Sequence, residues 1–342
     1  MNQSRRWPSR PGWGWSIPSV ILSLLLAILL LPGAALAAPS PGASEHSAAL
    51  LEGVVVAPRL GLAYVMRPSG GIDALDLASG AVRWRSDSAA KPLALAGQRL
   101  IAQAESRGAN TLKLVSLDAR SGAARETARI DLPAGIAATV VDGPSGSFRV
   151  RADATGSELA VRWEATGVAT PAQGYLPADN EGQAPVVVAG EAVLDLASSL
   201  RVKTEPSVRS VRSPTLARAA LQELSAPAVA GVEGRQLLSA DGRHVLVTEP
   251  IEGAGSTLYR HRWTVYERAG GARLGSVTAL VSATPFLVVG RTIYHVEPAH
   301  AVSREGGFTE HPAALRAMNL TTGAEVWTQA IGETDFRGPF VP

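Results

Sequence analysis

"AMNLTTGAEVW" at Ala317–Trp327 and "ALDLASGAVRW" at Ala74–Trp84 stand at opposite ends of the chain and align without a gap. A third window, "SLDARSGAARE" at Ser116–Glu126, keeps their spacing. "VYERAGGARLG" at Val265–Gly275 and "VRWEATGVATP" from Val161 are weaker copies. The anchoring glycines are Gly80, Gly122, Gly167, Gly271 and Gly323, spaced by 42, 45, 104 and 52 residues. Periods of this size mark a repeat architecture. The long interval equals two of the 52-residue units, which predicts one degenerate unit between Gly167 and Gly271.

Each window reads as a hairpin. "IDAL" and "VRW" alternate apolar residues over runs too short and too glycine-bounded for helices. The Ser-Gly or Thr-Gly pair between them suits a tight turn whose last residue needs a positive φ. Asp76 and Asn319 occupy one register and Asp118 falls within it, where a short carboxylate or amide can hydrogen-bond the turn's own backbone. Upstream lie further apolar runs, "GVVVAP" with "LAYVM", "PLALAG" with "RLIAQA" and "TPFLVVG" with "TIYHVE". Two hairpins make a four-stranded antiparallel unit, which buries both faces only by stacking on its neighbours.

The windows ending in Trp84 and Trp327 resemble the tryptophan-docking repeat of pyrroloquinoline-quinone-type β-propellers, with pattern A-x-D/N-x-x-T/S-G-x-x-x-W. The resemblance implies an all-β fold, a propeller of about six four-stranded blades over residues 53–332. Blade boundaries fall near 53–90, 91–132, 133–175, 176–225, 226–275 and 276–332, with a seventh blade if the irregular middle hides one. It also implies that Trp84 and Trp327 wedge between adjacent blades and that Gly80, Gly122, Gly271 and Gly323 are structural turn residues. Glu126 and Gly275 depart from the pattern where the tryptophan should stand. Trp163 and Trp263 lie outside that register and read as core.

Residues 1–37 have the layout of a secretory signal peptide: Arg5, Arg6 and Arg10, then the apolar run Ser19–Leu31, then "ALA" at Ala35–Ala37. Residues 38–52 read as a linker and 333–342 as a tail. Export to the periplasm or the extracellular space is expected, with a membrane anchor through residues 17–38 as the alternative if the signal is not cleaved. The chain has 32 Lys+Arg against 30 Asp+Glu, and three of the arginines fall in the signal. The mature chain is therefore nearly neutral, and nucleic acid is not implied as a partner. The absence of cysteine excludes disulfides, thiolate metal sites, a thiol nucleophile and an acylated N-terminal cysteine.

Residues 200–225 break the repeat. Arg201, Lys203, Arg209, Arg212 and Arg218 face Glu205 alone, and the stretch then reads as a short helix capped by Ser213 with Leu216, Ala220 and Leu224 on one face. This insertion is the expected interaction site, for an acidic partner or an anionic envelope surface. "HVEPAH", with His295, Glu297, His300 and later His311, has residue types that bind zinc but no fixed ligand pattern, so no metal is expected. No nucleophile elbow, phosphate loop or calcium loop is present, and no catalytic residue can be named from spacing. The composite expectation is an exported, non-enzymatic scaffold that binds a protein or polymer of the cell envelope without a cofactor. The resembled family includes a scaffold lipoprotein of outer-membrane assembly, whose acylated cysteine this chain lacks. The alternative is an enzyme with a funnel site, a hydrolase or lyase. A quinone- and calcium-dependent dehydrogenase of the resembled kind is disfavoured by the missing cysteines and the shorter chain.

Overall fold

The glycine turns close hairpins. Gly80, Gly122, Gly271 and Gly323 take φ of 70°, 72°, 68° and 70°, a left-handed conformation that a Cβ disfavours. Each amide donates to the carbonyl four residues back: Gly80 to Asp76, Gly122 to Asp118 and Gly323 to Asn319 at 2.8 Å, and Gly271 to Glu267 at 2.9 Å. Asp76 Oδ1 accepts from the Ser79 amide and hydroxyl at 2.9 Å, and Asp118 Oδ1 repeats both bonds with Ser121 at 3.0 Å. Asn319 Oδ1 takes the amides of Thr321 and Thr322 at 2.8 and 3.0 Å. The Arg83 side chain, followed by Ser79, holds the Asp76 carboxyl down to about 2. These carboxylates are therefore occupied by their own turns.

The computed structural model describes residues 47–104, 110–133, 136, 147–166, 187–204, 207–211, 222–224, 228–251, 260–304 and 307–332. They are all-β. The first sheet runs β1 (Ala48–Leu51), β2 (Val54–Ala57), β3 (Leu62–Met66), β4 (Ile72–Asp76) and β5 (Val82–Ser86) in spatial order. The second runs β6 (Lys91–Ala96), β7 (Arg99–Ala104), β8 (Thr111–Asp118) and β9 (Ala124–Asp131). The third holds β10 (Ser147–Thr155), β11 (Glu158–Thr166) and β12 (Val187–Asp195), with β13 (Arg201–Val202) and β14 (Ser207–Val211) both paired to β12. The fourth runs β15 (Gln222–Glu223), β16 (Gln236–Leu238), β17 (His244–Ile251), β18 (Arg260–Glu267) and β19 (Arg273–Ala279). The fifth consists of β20 (Phe286–Val289), β21 (Thr292–Glu297), β24 (Ala314–Asn319) and β25 (Glu325–Ala330). Between β21 and β24 a separate hairpin, β22 (His300–Arg304) and β23 (Gly307–His311), is inserted. Every pairing is antiparallel.

Neighbouring sheets share apolar cores. Tyr64, Ile72 and Trp84 of the first sheet pack with Leu100, Val115 and Leu117 of the second. Ile101, Leu112 and Ile130 pack with Phe148, Val161 and Trp163 of the third. Leu246, Trp263 and Val277 of the fourth pack with Phe286, Ile293 and Met318 of the fifth. Leu50, Val65 and Leu75 of the first sheet meet Leu287, Leu315 and Trp327 of the last, so head and tail of the chain share a core. Among the described residues no such core joins the third and fourth sheets.

Trp84 and Trp327 are the expected wedges. Trp327 Nε1 donates 2.9 Å to the Leu77 carbonyl of the first sheet, which also accepts from Tyr294 Oη at 2.9 Å. Trp84 Nε1 and Tyr64 Oη both donate 3.0 Å to the Ala119 carbonyl of the second sheet. Each indole lies so close to the next turn that a Cβ on Gly80 would come within 2.7 Å of Trp327, and one on Gly122 within 2.5 Å of Trp84.

Three expectations need correction. The described residues form five sheets of four or five strands where six blades were expected, because the 104-residue interval is not two units. The third sheet spans 147–211 on its own, and its hairpin turn lies at Asp195–Leu200. Here Asp195 Oδ1 accepts the Ala197 amide and Oδ2 the Ser198 hydroxyl, each at 2.8 Å, while Ser199 and Leu200 hold φ of 52° and 54° in place of a glycine. Gly167, the expected anchor, lies outside the described residues. Second, residues 48–51, read as linker, form β1, because Ala48 and Leu50 alternate onto a buried face. Third, the helix expected to reach Leu224 does not: Gln222–Glu223 pair as strand with β16, and the remainder of that segment, 212–221, lies outside the described residues.

Strands of the first three sheets meet in series, β2 against β6 and β6 against β10. β1 lies along the edge of β2 and touches β6 of the second sheet and β20 of the fifth. Its turn is tied down by an ion pair, Lys91 Nζ to Glu52 Oε2 at 3.4 Å, with side chains only 6% and 13% exposed. Removing one partner of such a pair leaves an uncompensated buried charge, which costs about 3–5 kcal/mol. Lys91→Ala should therefore destabilise by that order in a thermal melt, whereas Lys91→Met combined with Glu52→Gln should cost far less.

Candidate functional site

Of the predicted basic insertion, Arg201–Val202 and Ser207–Val211 form the outer strands of the third sheet. β13 and β14 pair successive parts of one edge of β12 and leave their other edge without a strand partner among the described residues. The link between them stays attached, since Lys203 N donates to Val193 O at 2.8 Å and Thr204 Oγ1 accepts from Val193 N at 3.3 Å. Arg201, Lys203 and Arg209 are all exposed. Arg212 and Arg218 lie outside the described residues.

Their charges are not equally committed. Lys203 Nζ reaches Glu158 at 3.0 Å, and that hydrogen bond raises its pKa. On the same sheet Arg162 is shared between Asp153 at 3.2 Å and Glu191 at 3.3 Å. Arg201 and Arg209 make no ion pair among the described residues. Cross-strand register places Arg149, Glu164, Ala189 and Arg209 in one row, with Arg151, Arg162, Glu191 and Ser207 in the next. Side chains alternate across a strand, so these rows occupy the face opposite Trp163 and Val161, the face that shares no apolar core. Val208, on the other face of β14, is 47% exposed.

The other cluster of titratable groups lies between the fourth and fifth sheets. His295 is fully buried with both ring nitrogens lacking a hydrogen-bond partner, and its ring sits 4.8 Å from that of Trp263. Thr248 is the cross-strand partner of Trp263, and Thr284 precedes Phe286, the cross-strand partner of His295; both hydroxyls are also buried without a partner. Arg316, across the ladder from His295, is held by Glu297 at 2.6 Å and by Glu325 at 2.6 Å. Burial, and then the Arg316 charge, lowers the His295 pKa to about 3. His295 and Glu297 of "HVEPAH" thus share one face of β21, where His295 is buried against Trp263 and Glu297 holds Arg316, while His300 lies on the inserted hairpin. Among the described residues no group of three or more His, Asp or Glu could hold a metal ion.

Sequence reasoning missed how the other seams are docked. The carbonyl that accepts the tryptophan always follows the register carboxylate: Leu77 after Asp76 and Ala119 after Asp118. In the third sheet the equivalent Leu196 carbonyl accepts from Arg99, which Glu126 holds at 3.3 Å. In the fifth sheet Leu320 accepts from the Ser276 amide at 3.1 Å. Gly275 makes that approach possible, since a Cβ there would fall 1.8 Å from Leu320 O. The missed third repeat did carry a signal, because "DLAS" at Asp195–Ser198 repeats Asp76–Ser79 letter for letter.

Two seams are therefore docked by a tryptophan, Trp84 on the second sheet and Trp327 on the first. No family model matches the chain, and no curated protein does. Solved structures to which it is similar include BamB from Moraxella catarrhalis, at 14% identity over 79% of this chain and 61% of that one, with a TM-score of 0.25. A quinohemoprotein alcohol dehydrogenase from Comamonas testosteroni gives 12% over 80% and 58%, at 0.27. The Cps50 (Swd1) β-propeller domain of Myceliophteria thermophila gives 12% over 83% and 86%, at 0.27. The chain spans about three-fifths of the first two. At these TM-scores the likenesses add no weight to the geometry above. No helix among the described residues is long and apolar enough to cross a membrane.

Proposed function

We propose that the mature chain is an exported β-propeller scaffold of the cell envelope, non-enzymatic, that binds an acidic protein or polymer partner. The observation that carries this reading is the outer edge of the third sheet, which among the described residues has no strand partner and presents Arg201 and Arg209 without an ion pair. Loops and edges on a rigid scaffold are where recognition tends to sit. The head-to-tail core, which suits a propeller whose first and last blades meet, supports this reading.

The test is charge reversal at two exposed positions. Arg201→Glu with Arg209→Glu should abolish salt-sensitive co-purification of an envelope partner while leaving the melting temperature within about 2 °C, because exposed unpaired charges contribute little to stability. Retained co-purification would remove the outer strand as the binding surface. Substrate turnover by the purified chain would remove the scaffold reading altogether. Mass spectrometry of the mature N-terminus, expected at Ala38, tests export.

A further inference from the structure

The inserted hairpin brings two histidines together that neither the repeat nor the scaffold reading uses. His300 opens β22 and His311 closes β23, and they are direct partners across the ladder. Their rings stack with centroids 4.8 Å apart and planes 13° from parallel. His300 Nδ1 lies 3.2 Å from the Pro298 carbonyl. A carbonyl only accepts, so Nδ1 carries the proton and the Nε2 lone pair is left free. This backbone bond is the kind that fixes tautomer and ring orientation in metal-bound histidines. Among the described residues no carboxylate pairs with either ring: Glu297 is taken by Arg316, and Glu310, opposite Ala301, belongs to the other face of the hairpin.

We propose that His300 and His311 form a two-imidazole site for a nitrogen-preferring divalent transition ion, Cu²⁺ above Zn²⁺. Cross-strand partners hold their Cβ atoms about 4.5–5.5 Å apart, and imidazole nitrogens bind such ions at about 2.0–2.1 Å. Rotation of His311 about χ2, a broad torsion, turns its ring out of the stack toward an ion at His300 Nε2, while His300 keeps its bond to the Pro298 carbonyl. The order Cu²⁺ above Zn²⁺ follows from the general affinity series for nitrogen ligands. With only two protein ligands the remaining coordination positions stay open, to water or to an incoming group. The site sits on a hairpin exposed at Gly307, Thr309 and His311, so an ion reaches it without any movement of the sheets.

The experiment uses the full mature chain without an affinity tag, titrated with Cu²⁺ or Zn²⁺ alone in a calorimeter at about pH 7.5 and about pH 5. One ion per chain is expected, with binding lost at the lower pH, because protons compete with the ion for the ligand nitrogens. His300→Gln and His311→Gln should each weaken binding at least roughly tenfold, and the double variant should abolish it with an unchanged melting temperature. The absence of binding by the wild-type chain, or equal binding by the double variant, would overturn the site.

Discussion

Trp327→Ala should lower the melting temperature by on the order of 10 °C, the largest single effect expected at a seam. Truncating a buried tryptophan costs about 3–5 kcal/mol, and each kcal/mol moves the midpoint of a chain this size by about 2–4 °C. The indole is 8% exposed and fills the head-to-tail core against Leu75 and Leu77. Trp327→Phe should cost much less. It keeps most of the apolar contact, and the Leu77 carbonyl retains its bond from Tyr294. Gly80→Ala should approach the damage of Trp327→Ala, because the new Cβ would strike the indole and is disfavoured at a φ of 70°. A Trp327→Ala protein that melts with the wild type would mean that the first and last sheets do not close on each other.

Acidification should weaken the fold through His295, and His295→Leu should remove most of that weakness between about pH 6.5 and pH 5. In the unfolded chain the imidazole titrates near its ordinary value of 6.5, while in the folded chain burial and Arg316 hold it to about 3. Above pH 6.5 the ring is neutral in both states and the full stability is present. As the pH falls, the unfolded chain takes up a proton that the folded chain refuses, so stability declines by about 1.4 kcal/mol per pH unit until the folded pKa is reached. The His295→Leu chain should show a flatter dependence of its denaturation midpoint on pH. It should lose no stability at neutral pH, since two unpartnered buried nitrogens disappear with the ring. Equal slopes for the two proteins would show that His295 is solvated in the folded state.

Both expectations rest on elements that were legible to different degrees. The outer hairpins of the first, second, fourth and fifth sheets could be read directly, because a two-residue alternation interrupted by a glycine at positive φ is a local pattern. The hairpin of the third sheet could not. Ser199 and Leu200 adopt the left-handed conformation that glycine takes elsewhere, at a strain of about 1–2 kcal/mol per residue. Glycine spacing therefore points to Gly167, whereas the turn of the third sheet begins at Asp195. The cationic strand misled for a related reason. Its arginines are scattered, and without their register on β12 they read as a loop leading into a helix.

The sequence by itself determined the all-β class, the positions of four hairpin turns and the role of the two docking tryptophans, because hydrophobic alternation, turn glycines and capping carboxylates act over a few residues. Only the tertiary structure decided how many sheets the described residues form and what replaces tryptophan at the other seams. It also decided which histidines meet. Arg99 with Glu126, Gly275 against Leu320, and His300 beside His311 are each created by contacts between segments whose spacing carries no repeat. Such contacts depend on how strands register and sheets stack, and no local stretch of chain encodes them.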